Sequence, residues 1–192
     1  MNSMRQPGFF VGKIVFTALV IAFGFGGLTN AQDVANGEAV ATVMAGLLVT
    51  AVQNLDFGSV LQGVAQIQDQ TDDLLSGIFR ITGQEDAEIS MYMQLPDYLA
   101  TDPAGDDRMT VSFDVDDVTL DTSGVAGSPA APGAGAVVGE NPHNLPTIRL
   151  GGAGALPFQC RVYLGGKVTP TVDQTAGNYS GDVTLSVAYT GN

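Results

Sequence analysis

Seven aspartates crowd one short stretch of the chain: Asp102, Asp106, Asp107, Asp114, Asp116, Asp117 and Asp121. Carboxylate oxygens suit calcium, which takes about six to eight hard ligands. The tightest group, Asp114, Asp116 and Asp117, is the calcium candidate. The EF-hand spacing is absent, however. Asp114 and Asp116 also alternate with Val111, Phe113 and Val115, which puts them on the solvent side of a strand. A solvated face is therefore the first reading and calcium the second. Glu85, Asp86 and Glu88 could be taken as a carboxylate pair for glycoside chemistry, but neighbouring acids in a turn are ordinarily just hydrated. His143, the only histidine, sits in a Pro/Asn loop. It has neither a nucleophile motif nor partners for a metal cage. The glycine-rich stretches lack the lysine and the strand-to-helix setting of a phosphate loop. Cys160, the only cysteine, can form no disulfide within the chain. It is in phase with Phe158, Val162 and Leu164, which reads as a buried thiol. No residue is assigned to catalysis, to a cofactor or, beyond those weak calcium candidates, to a metal.

The elements that hold these residues are short and extended. Ile89, Met91, Met93 and Leu95 alternate with Glu88, Ser90, Tyr92 and Gln94 until Pro96 stops the run. This predicts a half-buried strand over 87–95. Strands are also expected over 78–82, over 111–115, over 158–164 and, briefly, over 147–150. Another is expected over 168–172, where Pro170 suits an edge. Val183, Leu185, Val187 and Tyr189 mark a terminal strand. It is introduced by the corner Gly177-Asn-Tyr-Ser-Gly181, with Tyr179 as its anchor and the glycines supplying permissive backbone. The apolar run Ala39 to Val52, broken by Gly46, predicts two short strands or one bulged strand. Leu55-Asp-Phe57-Gly58 follows, with Leu55 and Phe57 pointing the same way before a turn. Ser123 to Asn144 is rich in Gly, Ala and Pro and reads as a long surface loop. Eight or nine strands without a helix predict an antiparallel β-sandwich in one domain over 32–192.

Arg5 and Lys13 precede the apolar run Ile14 to Phe23, and small residues lead to Ala31. This is the layout of a secretory signal peptide, with cleavage expected after Ala31. Retention as an anchor is the competing reading. Two of the seven basic residues and none of the twenty acidic ones precede residue 32, which leaves five against twenty and a net charge of −15 beyond it. Such a surface repels phosphate backbones and argues against a nucleic-acid partner. The expected location is outside the cell, at the surface, with no membrane span after cleavage.

Five markers follow one another in order: Leu55-x-Phe57-Gly58, Phe79-x-Ile-Thr-Gly83, Leu95-Pro96, Gly165-Gly166, and Ala176-Gly177-x-Tyr179-x-Gly181 before a strand ending at Tyr189. Together they resemble the exported bacterial family of the domain of unknown function DUF4402, over roughly Val40 to Tyr189. That family resembles the immunoglobulin-like subunits of pili and the spore-coat type of surface protein. The resemblance implies a filament or coat role and no known activity. In such an assembly a strand of one subunit completes the sheet of the next. The donor would be Gln32 to about Val49, including Val40, Val43 and Leu47. The acceptor groove would lie beside Val183, Leu185, Val187 and Tyr189. Partners would be other copies or related subunits, with a periplasmic chaperone or usher. The competing expectation is that the first strand completes its own subunit. From a different class comes a monomeric binding module or adhesin for a surface glycan, using the 123–144 loop and exposed Tyr92 or Tyr163. An enzyme ranks last.

Overall fold

The computed structural model describes residues 41, 43–101, 107–123, 131–151 and 159–191. The expected signal peptide, the leader as far as Val40, Asp102, Asp106 and Phe158 lie outside the described residues. So does the middle of the 123–144 loop.

Among the described residues every regular element is a strand. The order is β1 Leu48–Gln53, β2 Gln66–Gln68, β3 Gly77–Thr82, β4 Glu88–Gln94, β5 Tyr98–Ala100 and β6 Arg108–Ser112. It continues with β7 Val118–Asp121, β8 Val137–Glu140, β9 Ile148–Arg149, β10 Gln159–Leu164, β11 Gly166–Thr169 and β12 Thr184–Tyr189. The described residues form twelve strands where eight or nine were expected. The additions are pieces of three or four residues, too short to show alternation. One of them, β8, lies inside the stretch expected to be loop.

All pairings are antiparallel. The largest sheet runs β1-β3-β10-β7-β8, a second runs β2-β11-β6-β5, and a third β12-β4-β9. The first and third face each other. Ile81, Leu120, Cys160 and Val162 of one share a core with Ile89, Met91, Met93 and Leu185 of the other. Two layers with apolar faces inward are a β-sandwich. The alternation over β4 holds residue by residue, with Ile89, Met91 and Met93 buried and Tyr92 exposed.

The second sheet sits at one end. The chain crosses into it at Pro96 and at Gly165 and leaves it at Phe113–Asp117. Gly165 permits its crossing by close approach: a Cβ there would stand 2.5 Å from the Gln68 carbonyl oxygen and 2.7 Å from the Gln70 nitrogen. Met109, Val111 and Val168 form this end's own small core, against Phe57, Leu99, Phe113 and Tyr179.

Three expectations change. First, β11 lies between β2 and β6 and is not an edge; Pro170 ends it instead of occupying it. Second, the alternation through Val111 stops at Phe113, because the chain turns there to change sheets, and Val115 is exposed in that turn. Third, among the described residues of the apolar run a paired strand begins only at Leu48, with one register shift between Ala51 and Gln53.

Candidate functional site

The two facing layers are fastened at one pole and gape at the other. At the fastened pole Leu48 pairs with Thr82 and Tyr189 with Ile89. The Tyr189 hydroxyl donates to the Ala45 carbonyl at 2.7 Å and accepts from the Gln84 N–H at 2.8 Å. The Gln84 side chain in turn accepts from the Ala45 N–H at 3.2 Å. This ties the incoming chain to both layers.

At the other pole β1 and β12 run into segments that diverge. After Gln53 the Asp56 N–H donates to the Leu75 carbonyl at 2.8 Å. The Asp56 carboxylate then accepts from the Gly58 N–H at 2.8 Å, with Gly58 at φ 66°. That left-handed turn is why the motif ends in glycine. Leu55 packs on the main core and Phe57 on the end core, so the two markers join different clusters while lining one space.

The corner before β12 is built as its residues suggest. The Tyr179 hydroxyl donates to the Thr175 carbonyl at 2.7 Å and accepts from the Gln174 amide at 2.8 Å. Ser180 exchanges backbone hydrogen bonds with Ala100 at 2.8 and 2.9 Å. The glycines serve a different purpose from the one expected: neither Gly177 nor Gly181 has positive φ. Gly181 is small because a Cβ would come within 3.0 Å of the Leu99 side chain and 3.2 Å of the Tyr98 carbonyl.

Between these segments lies an open groove of about 940 Å³. Its apolar walls include Leu55, Phe57, Phe79, Phe113, Leu164 and Val183, and its rim is amide-rich, with Asn54, Gln62, Gln174 and Asn178. Asp56 and Asp182 also border it. The strands that lead into it, β1 and β12, are both sheet edges: among the described residues β1 pairs only with β3 and β12 only with β4. An edge strand presents unpaired backbone donors and acceptors. A groove of mixed apolar and amide lining, flanked by such edges, is shaped for an extended peptide.

Of the expected assembly residues, Val183 lines the groove. Leu185, Val187 and Tyr189 continue from it toward the fastened pole, Leu185 buried in the core and the other two packed against it. Val43 is exposed, whereas Leu47 packs on the core beside Tyr189 and Gly83. Val49 pairs with Ile81 of the same chain. Along Leu48–Gln53, then, the first strand completes its own sheet.

The remaining candidates scatter. Asp114 and Asp117 brace one turn, the Asp114 N–H donating to the Asp117 carboxylate at 2.6 Å. Asp116 is exposed beside them. Burial, reinforced by Asp114, Asp116 and Asp69, pushes the Asp117 carboxyl up from its ordinary range. Among the described residues no group of three or more side chains could hold a metal ion. Asp121 lies across from Arg161, and its carboxylate accepts from the Ser123 and Gly133 N–H groups at 2.8 and 2.9 Å. Burial works against its charge, but those hydrogen bonds and the Arg161 guanidinium hold the pKa below the usual value. Asp86 and Glu88 share Arg149 at the surface, at 3.4 and 3.9 Å. His143 bridges its loop to the Phe113 carbonyl at 3.1 Å. Cys160 is buried, and its thiol is pushed up to about 12, chiefly by that burial. Tyr163, expected at the surface, is fully buried. It lies on the second face of β10, which is covered like the first, so all six residues of that strand are inside.

These features define an all-β sandwich with an open groove between two strand edges. The family model for the domain of unknown function DUF4402 matches residues 47–189, and the chain belongs to that family. The match begins one residue before β1 and ends on the last residue of β12, so it spans the whole sandwich. No curated protein matches the chain.

Proposed function

We propose that this protein is an exported structural subunit of a surface filament or coat, and that its groove accepts an extended segment from a neighbouring copy. The observation that carries the reading is the coincidence of a groove of mixed polar and apolar lining with the edges that β1 and β12 present among the described residues. An inserted strand gains backbone hydrogen bonds from the edge and buries alternate side chains in the trough. Because β1 is already paired at home, the donor is the stretch before the sandwich, from about Gln32 to Met44. This is shorter than an expectation that ran to Val49. Basic residues ahead of an apolar run at the start of the sequence support export, and a chaperone that covers the groove before assembly fits the same physics.

Deleting 32–44 tests the reading. The truncated chain is expected to fold and to stay monomeric; one that folds and still polymerises excludes strand donation. The monomeric adhesin is the weaker alternative, since only Tyr92 of its two proposed contact tyrosines is at the surface.

A further inference from the structure

The charges around the groove restrict what can lie in it. Among the described residues its lining holds two carboxylates, those of Asp56 and Asp182, and no lysine, arginine or histidine. Both aspartates are exposed. An acidic side chain brought between them would meet two like charges and no cation, and would lose part of its hydration. A segment that fits is therefore uncharged over the length that enters. In a chain with twenty acidic residues, uncharged runs of ten or more are few beyond residue 32: 39–55, 57–68, 122–139, 150–160 and 183–192. Four of these are committed elsewhere. Residues 57–68 supply Phe57, Val60 and Gln62 to the groove lining itself. Pro129 and Pro132 leave 122–139 short of ladder donors, and its Gly133 N–H donates to Asp121 at 2.9 Å. Leu150 and Cys160, the two ends of 150–160, are fully buried, and 183–192 contains β12. The first run differs. From Leu48 it is β1, but Ala41, Val43 and Met44 stand exposed outside any strand, Val43 at 94%. Ala45 limits this free stretch on one side, since its N–H and carbonyl are engaged by Gln84 and Tyr189. Glu38 limits it on the other.

We propose that the groove selects its occupant by charge, and that the part of a second copy it takes is residues 39–44, with 32–38 left outside. Those six residues, Ala-Val-Ala-Thr-Val-Met, reach roughly 20 Å when extended. The inference rests on the reading that copies exchange strands, and it narrows that reading to a register. Asp56 and Asp182 act as specificity determinants: they contribute little to the right segment and penalise one that would bring Asp33 or Glu38 into the groove. Because both carboxylates are exposed, their share of the discrimination fades as salt rises.

The test uses the exported full chain and sedimentation velocity. Ala41→Asp with Thr42→Asp puts one acid on each face of the inserted segment. Val34→Asp with Ala35→Asp adds the same charge to the stretch left outside. At low salt the first pair is expected to weaken self-association at least tenfold and the second less than threefold. Asp56→Asn with Asp182→Asn keeps an acceptor for the Gly58 N–H, so thermal melting should hold. Combined with the first pair, it should recover association at least threefold, and raising the salt should shrink that recovery. Equal weakening by the two donor pairs, or no recovery with the asparagines, overturns the selection by charge. A first pair that associates like the natural chain overturns it as well. If deletion of 32–44 still abolishes association in that case, strand donation survives and only the charge selection falls. A natural chain that stays monomeric at every concentration, or a deletion that still polymerises, removes strand donation and this inference with it.

Discussion

Removing one oxygen atom at the fastened pole should loosen the start of the sandwich. In Tyr189→Phe the ring stays, but the Ala45 carbonyl loses its 2.7 Å donor and the half-buried Gln84 N–H its 2.8 Å acceptor. A net hydrogen bond is worth about 1 kcal/mol, and an unpaired half-buried donor adds a fraction of its desolvation cost, so the loss should be about 1–2.5 kcal/mol. For a domain of roughly this size each kcal/mol moves the melting temperature by about 2–4 °C, which predicts a drop of about 2–10 °C. The damage should also be local. Leu47 packs against Tyr189 and Gly83, so amides of the first described residues should exchange faster while those of β10 keep their order of protection. The assay is thermal melting joined to hydrogen exchange read by mass spectrometry. A melting temperature within 1 °C of the natural protein, with unaltered exchange over residues 43–50, would refute the idea that this hydroxyl ties the two layers together.

Three further outcomes follow from the same geometry. Cys160, buried with its thiol pushed up to about 12, should be inert to Ellman's reagent at pH 8 in the native protein and react fully in guanidinium. Native reactivity would show the core to be open there. Gly165→Ala would drive a methyl group against the backbone of Gln68 and Gln70; overpacking of this kind costs about 1–3 kcal/mol, measurable by urea denaturation, and an unchanged midpoint would disprove the close approach. The Asp121 carboxyl is held below its ordinary value, so its charged form contributes stability that is present above the unfolded carboxylate range and lost as pH falls through the folded pKa. Asp121→Asn should therefore destabilise at pH 7, and the gap to the natural protein should close in acid; a gap independent of pH contradicts this.

How much was legible depended on whether a residue faced one environment or two. Ile89, Met91 and Met93 have core on one side and water on the other, and their alternation reads directly. The corner at Tyr179 was legible because a side-chain hydroxyl bonding four residues back is a local event. Tyr163 was misplaced because β10 is covered on both faces, and period-two reasoning assumes one wet face. Asp114 and Asp116 were set on a strand that ends two residues before Asp114, since nothing local announces a chain changing sheets. β7 escaped notice for the same reason as Tyr163, with all four of its residues buried. The groove itself could not be read, because it is formed by Leu55, Phe79, Leu164 and Val183 from four distant segments. The Leu55-x-Phe57-Gly58 turn, the strands carrying Phe79 and Leu164, the Tyr179 corner and the terminal strand were each visible beforehand, but not that they meet around one space.

Cysteine trapping puts the central claim to its most direct trial. Val183→Cys places a thiol on the groove wall, single cysteines stepped through positions 34–42 place one on the donor, and buried Cys160 stays silent. Under mild oxidation the double variants are predicted to give a ladder of covalent multimers in denaturing gels, strongest at alternate donor positions. Monomeric bands at every position, with the groove cysteine unpaired or joined within its own chain, would contradict strand exchange between copies.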